Sequence, residues 1–255
     1  MALLVESVCG FLRYKVFDTR EAMGACAGSE AAAKLKELLR EKEEVNVMFA
    51  AAPSQNETLQ TLMADTEIEW ERVNGFHMDE YVGLDGTHDQ SYRYFMNDNL
   101  FNHINIDKNN TYVAKGTGDV TANLKEFNDI LDRTDIDIQV LGVGPDGHLG
   151  FNEPGATLYD GAHEETLDDS TIEANKRFFA TKEDVPTHAV TMGMGNIMRA
   201  KKLLMIISGN KQEAATKLLI EDKIDPMCPC TFMRMHRDAT VVIEQKLADE
   251  IGYKG

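Results

Sequence analysis

Short runs of consecutive apolar residues alternate along this chain with longer stretches in which apolar positions recur every three or four residues. The first kind suits strands buried on both faces and the second suits amphipathic helices, so the chain reads as a mostly parallel sheet with helices over both sides. Val45 to Ala52, Val73 to Met78, 111–114, 136–143, 188–193, 203–208 and 239–243 are the predicted strands. Asp18-Thr19-Arg20-Glu21 has the form of a capping box and opens a helix to about Arg40. Ser54-Gln55-Asn56-Glu57 repeats the pattern directly after the first strand. Asp79 to Asp89 reads as a loop, with helices through Tyr92, Phe95 and Leu100, then at 120–132, 210–220 and 246–252. No repeat, low-complexity tract or linker interrupts the alternation. The expected fold class is therefore α/β, one three-layer sandwich domain over residues 1–255.

Composition narrows the functional classes. Lys and Arg number 26 against 43 Asp and Glu, a formal net charge of −17, and such a chain lacks the concentrated basic surface that a phosphate backbone requires. Nucleic acid is excluded as a partner; a small anion can still be held where a few basic side chains converge. No apolar stretch is long enough to span a bilayer, and Met1-Ala2-Leu3-Leu4-Val5-Glu6 lacks the basic region and long apolar core of a signal peptide, so a cytoplasmic protein without membrane association is expected. Cys9, Cys26, Cys228 and Cys230 make no disulfide framework for a chain of this length. Cys228-Pro229-Cys230 with His236 lacks the usual ligand gap and a fourth ligand, which favours reduced structural thiols over a metal site.

The chemistry concentrates after the strand-like run Ile136 to Val143. Gly144-Pro145-Asp146-Gly147-His148-Leu149-Gly150-Phe151-Asn152-Glu153-Pro154 delivers two carboxylates and an imidazole just past the carboxyl end of a strand, where open α/β sheets place their ligands. Asp146 and His148 stand two residues apart and would share a side in an extended segment. A carboxylate beside an imidazole raises its basicity and fixes its tautomer, as a proton shuttle needs. Gly142-Val143-Gly144-Pro145-Asp146-Gly147 also satisfies a dinucleotide-binding spacing, but Gly150 and Pro154 break the helix that would have to hold the pyrophosphate. A solvated Gly-rich turn is the bland alternative.

Two other strand ends belong to the same edge. Ala52-Pro53-Ser54-Gln55-Asn56 leads into a helix whose free N–H groups favour an anion, although capping alone would explain Ser54 and Glu57. Phe76-His77-Met78-Asp79-Glu80-Tyr81-Val82-Gly83-Leu84 places an acidic pair beside the His148 edge, in a chain where surface carboxylates are common.

Met78-Asp79-Glu80-Tyr81-Val82-Gly83-Leu84 and the segment from Gly142 to Pro154 together closely resemble the glucosamine-6-phosphate deaminase (isomerase) family, related in fold to 6-phosphogluconolactonase. The likeness takes in Gln90-Ser91-Tyr92, Asn175-Lys176-Arg177-Phe178-Phe179 and Val185-Pro186-x-His188-Ala189-Val190-Thr191-Met192-Gly193. It implies a Rossmann-like fold and a hydrolase and isomerase chemistry that needs neither metal nor cofactor. An amino-sugar phosphate becomes a ketose phosphate plus ammonia. His148, held by Asp146 and Glu153, would open the sugar ring, and Asp79 would carry the C2 proton to C1. Arg177 and Lys211 would hold the substrate phosphate, Lys211 lying one position early for the family's lysine.

The resemblance has departures. The family's Gly-rich phosphate loop is replaced by Phe49-Ala50-Ala51-Ala52-Pro53-Ser54-Gln55-Asn56, leaving Ser54, Gln55 and Asn56 as candidate phosphate donors without glycine's permissive backbone. Ala156, His163 and Glu165 stand where allosteric members hold N-acetylglucosamine 6-phosphate through a serine, an arginine and a lysine, so that regulator's site is expected to be absent. The expected partner is a sugar phosphate, and a homo-oligomer is compatible with the chain. A lactonase of the 6-phosphogluconolactonase type is the nearest alternative, with Glu153 as discriminator. A non-catalytic sugar-phosphate sensor is the third, weakened by the joint retention of Asp79, Asp146, His148 and Glu153.

Overall fold

The computed structural model describes residues 2–158, 160–221 and 223–254. The strands are β1 (Leu3–Cys9), β2 (Leu12–Phe17), β3 (Val45–Phe49), β4 (Val73–His77), β5 (Asp79–Tyr81), β6 (Thr111–Val113), β7 (Ile138–Leu141), β8 (His163–Thr166), β9 (His188–Thr191), β10 (Lys202–Ile207) and β11 (Ala239–Glu244). The helices are α1 (Arg20–Glu41), α2 (Asn56–Ala64), α3 (Tyr92–Met96), α4 (Val120–Arg133), α5 (Asp169–Asn175), α6 (Met194–Arg199), α7 (Gln212–Leu219) and α8 (Gln245–Glu250). Eight strands form one sheet in the order β1-β2-β11-β10-β7-β3-β4-β6, parallel throughout except for the β1–β2 hairpin. Burial on both faces explains the unbroken apolar runs: every residue of β7 and β10 is buried.

Two separate apolar layers cover the sheet. Ala27 and Leu35 of α1, Leu59 and Leu62 of α2 and Met96 of α3 pack on one face. Phe127 of α4, Ile197 of α6, Leu218 of α7 and Leu247 of α8 pack on the other. The three-layer sandwich expected from the alternation is thus present. Thr19 caps α1 by accepting from the Ala22 N–H at 3.1 Å, one residue later than the Asp18 cap that the box pattern implied. Gly24 of α1 lies so close to α2 that a methyl group there would overlap Glu57 Cβ, and the Thr58 hydroxyl donates to the Gly24 carbonyl at 3.3 Å. This close crossing fixes the start of α2 at the carboxyl end of β3.

The structure departs from the pattern in several elements. Asp79–Tyr81 is a strand, and β9 does not join the main sheet; both belong to a three-stranded antiparallel sheet ordered β5-β9-β8. The chain leaves the large sheet at Met78, whose carbonyl accepts from Met192 N–H at 2.8 Å. Runs of three or four residues carry too little periodicity to reveal such a transfer. The second capping box does not form either. A short 3-10 turn, Pro53–Gln55, precedes α2, and neither Ser54 nor Gln55 makes a side-chain capping bond. Glu57 instead pairs with Arg20 at 2.8 Å.

Candidate active site

The strand order reverses direction between β3 and β7: chain progression from β3 runs outward through β4 to β6, while β10 and β11 lie on the other side of β7. Such a switch opens a crevice at the carboxyl ends of the strands. The loops after β3, β4, β7 and β10 converge there, and they carry Ser54 to Asn56, Asp79, the Asp146 to Glu153 segment and Lys211.

The segment after β7 is a set of tight turns rather than an extended strand. Gly144 N–H donates to the His148 carbonyl at 2.9 Å, and Gly147, at φ +94°, reverses the chain between Asp146 and His148. The Asp146 carboxylate therefore meets His148 through turn geometry and not through strand alternation. It accepts from the His148 backbone N–H at 3.1 Å and stands 2.8 Å from ring Nδ1. Glu153 Oε2 is 3.6 Å from the same nitrogen. Burial pushes the Asp146 carboxyl up, but the hydrogen bond and charge of His148 outweigh it and leave Asp146 below its ordinary pKa. Burial wins at Glu153, which is raised despite the neighbouring imidazole. Two carboxylates sharing one imidazole are thus held at different proton affinities, which suits an acid–base relay. The three groups also place ligand-type atoms within 4.8 Å of one another.

Asp79 lies at the start of β5, opposite Thr191 of β9, and is only 6 % exposed. Burial, reinforced by the charge of Glu80, raises its pKa well above the carboxylate range. Among the described residues nothing donates a hydrogen bond to its carboxylate. Glu80, next along the strand, has the opposite environment: it accepts from Ser91 Oγ, Tyr92 N–H, Arg93 N–H and its neighbour Tyr81 N–H. It ties β5 to the start of α3 and is a structural carboxylate. Gly150, at φ +63°, joins the two motifs, since a methyl group there would lie 2.8 Å from Thr191 Oγ1 and 3.4 Å from Asp79 Oδ2. Phe151 N–H donates to Thr191 Oγ1 at 3.1 Å and locks the contact.

The part of the crevice lined from β3 has a different character. Gln55 is fully buried, and among the described residues neither of its amide atoms nor Asn56 Oδ1 has a hydrogen-bond partner. A methyl group on Gly142, just after β7, would stand 3.5 Å from Gln55 Nε2 and 3.6 Å from Ser54 Oγ. Lys211 immediately precedes α7. Burial, with a further push from the Arg177 charge, lowers its pKa to about 8, while Asp146 acts the other way. Lys211 thus stands within electrostatic reach of both Arg177 and Asp146. Arg177 lies in the 3-10 turn Lys176–Phe178, with its guanidinium 4.7 Å from the centre of the Phe178 ring.

Other residues resolve as structural. Cys228 and Cys230 are buried free thiols 3.6 Å apart, packed beneath Gly147, while His236 Nε2 is engaged by the Ala200 carbonyl at 2.7 Å. Ala156, His163 and Glu165 line a cavity of about 590 Å³ with Glu153, Asp160 and Asp168. His163 is paired with Glu165 at 3.3 Å, so that wall carries acid rather than a cationic cluster. Sequence reasoning passed over His77, Thr191 and the role of Glu80. The Ser91 cap three residues ahead of Tyr94 was the one available signal for Glu80.

The family model for glucosamine-6-phosphate isomerases/6-phosphogluconolactonase matches residues 18–242. The chain belongs to this family. It is 49 % identical over 184 residues to a glucosamine-6-phosphate deaminase of Clostridium perfringens, covering 71 % of this chain and 76 % of that one. A glucosamine-6-phosphate deaminase of Clostridium beijerinckii is 42 % identical over 230 residues, 88 % of this chain and 95 % of the relative. Among solved structures, a monomeric glucosamine-6-phosphate deaminase superposes with a TM-score of 0.87 at 30 % identity, covering 92 % of this chain and 98 % of its own. A 6-phosphogluconolactonase from Thermotoga maritima superposes at 0.73 with 19 % identity, covering 91 % of this chain and 98 % of its own, a likeness of fold alone. Among the described residues no helix is long and apolar enough to cross a membrane.

Proposed function

We propose that the chain is an amino-sugar-phosphate deaminase-isomerase, converting glucosamine 6-phosphate or a close epimer into fructose 6-phosphate or the matching ketose phosphate and ammonia. The observation that carries the reading is a division of labour across Gly150: a buried carboxylate with no donor on one side, and an imidazole held between two carboxylates on the other. An aldose-to-ketose shift needs both, one base over C1 and C2 and a separate acid–base at the ring oxygen. The named relatives support the same substrate class.

In this reading His148, oriented by Asp146 and Glu153, donates a proton to the ring oxygen as the ring opens and takes one from the C1 hydroxyl. Asp79 then removes the C2 proton. The C2–H electron pair forms the C1–C2 double bond, and the former carbonyl oxygen takes back from His148 the proton it had given up as the C1 hydroxyl, which yields the enolamine. Asp79 returns its proton to C1 as the nitrogen lone pair forms a C2 iminium. Water adds at C2 and ammonia leaves, which gives the overall conversion its hydrolytic character. No step passes through a metal or cofactor. Lys211 and Arg177 meet the phosphate, with Ser54, Gln55 and Asn56 supplying hydrogen bonds in place of a glycine cradle.

The lactonase and sensor readings are not favoured. The experiment that separates them offers glucosamine 6-phosphate, galactosamine 6-phosphate and 6-phosphogluconolactone and follows ammonium, ketose phosphate and lactone loss separately. Ammonium and ketose phosphate in equal amounts are expected from an amino-sugar phosphate. Lactone loss without ammonium from either amino sugar would replace this reading.

A further inference from the structure

His77 ends β4, directly beneath the residue assigned as the C2 base, and its side chain is fully buried. Its Nδ1 stands 2.7 Å from the backbone carbonyl oxygen of Asp79. A carbonyl only accepts, so this short contact favours the hydrogen of the neutral ring on Nδ1 over the longer approach of the Asp79 backbone N–H to the same nitrogen at 3.4 Å. This fixes the tautomer and leaves Nε2 as a bare lone pair. Among the described residues Nε2 has no hydrogen-bond partner, and it lies 3.5 Å from Asp79 Oδ1. An unpaired buried nitrogen is uncommon and calls for an explanation.

We propose that His77 is a positioning residue that keeps Asp79 a strong base by facing its carboxyl group with a lone pair instead of a donor. An ionised Asp79 meets repulsion at Oδ1, whereas the protonated acid can donate to Nε2, so the pair favours the form that carries the substrate proton. The commitment of Nδ1 to the Asp79 carbonyl prevents the ring from turning its N–H toward the carboxylate. Protonating the ring to supply that second donor is blocked by burial, which lowers the His77 pKa to about 3. The surrounding groups agree. Neighbouring strands contribute apolar Phe49 and Val113 at the His77 level. The titratable and charged neighbours are Asp79 and Glu80 on β5 and Tyr92 and Arg93 on α3. Arg93 opposes a proton on His77, and Glu80 opposes a charge on Asp79. The inference rests on the assignment of Asp79 as the C2 base, but its first test does not require turnover.

Aspartate labelled with carbon-13 at the carboxyl carbon allows Asp79 to be titrated by NMR, with Asp79→Asn identifying the resonance. His77→Asn brings an amide donor toward the carboxylate and should lower the Asp79 pKa by about one unit or more. His77→Phe removes the acceptor without adding a donor and should lower it less. The acid limb of the pH profile for C2 hydrogen exchange with glucosamine 6-phosphate should move down in the same order. A loss of rate at every pH with the limb unmoved would reduce His77 to packing. Nitrogen-15 spectra of the wild type give a test that no folding defect can obscure: Nδ1 protonated and Nε2 bare supports the proposal, and the reverse tautomer overturns it. Failure of the wild type to exchange C2 hydrogen would instead count against Asp79 as base, whatever the titrations show.

Discussion

Gly150 and Asp79 face each other so closely that a single added carbon on the glycine would stand 3.4 Å from the carboxylate. The turn that carries His148 and the strand that carries Asp79 are therefore registered by a residue with no side chain. Gly150→Ala would also place its methyl 2.8 Å from Thr191 Oγ1 and force a side chain into φ +63°. Loss of about 1 kcal/mol or more of stability is expected from the backbone alone. Turnover should fall by about 10²-fold if misplacing the two groups by an ångström has its usual effect. Thermal melts and steady-state rates on the same preparation separate the two effects.

Asp79 and His148 should fail in different ways. Asp79→Asn keeps the size and removes the base, so C2 hydrogen exchange and turnover should both drop by about 10²-fold or more. His148→Gln should slow the cyclic sugar far more than an analogue that cannot cyclise. Equal losses on both substrates would argue that His148 does not act in ring opening.

Lys211 gives the site a pH signature. Its pKa in the folded chain is lowered to about 8, chiefly by burial, and in the proposed role it meets the substrate phosphate in its charged form. KM should therefore be lowest below that value and rise as pH passes through it, the lysine losing its proton. Lys211→Arg stays charged and should flatten the rise. Arg177→Ala should raise KM at every pH, because an arginine does not deprotonate in this range. KM measured for each variant across neutral to alkaline pH checks both statements.

The fold was legible because its main signal is burial on both faces, which leaves continuous apolar runs at β3, β7, β10 and β11. The small sheet was not. Asp79–Tyr81 reads as a loop because its burial comes from β9, more than a hundred positions further along the chain. Asp146, His148 and Glu153 were legible as a cluster, since they lie in one segment, and the fold keeps them within 4.8 Å of one another. What held them together was misread: Gly147 reverses the chain, where alternation along a strand had been expected. Ser54 likewise looked like a cap, yet the turn Pro53–Gln55 leaves its hydroxyl beside Gly142 at the crevice. His77 carried no signal, because a histidine at a strand end is ordinary until the tautomer is fixed by a carbonyl.

The acidic wall formed by Glu153, Asp160, Glu165 and Asp168 bears on regulation. An acidic wall of this kind would repel a sugar phosphate, in keeping with the expected absence of the regulator's site. Saturation curves for the amino-sugar substrate should be hyperbolic and unchanged by N-acetylglucosamine 6-phosphate. Sigmoidal curves relieved by that sugar would mean that the regulator binds through other groups.

Asp79 as the carrier of one proton from C2 to C1 is the central claim, and glucosamine 6-phosphate labelled with deuterium at C2 tests it most directly. The account predicts ammonium and ketose phosphate in equal amounts, with part of the deuterium recovered at C1 of the product, and loss of that transfer in Asp79→Asn. Release of ammonium alongside an aldose phosphate that still carries deuterium at C2 would contradict it.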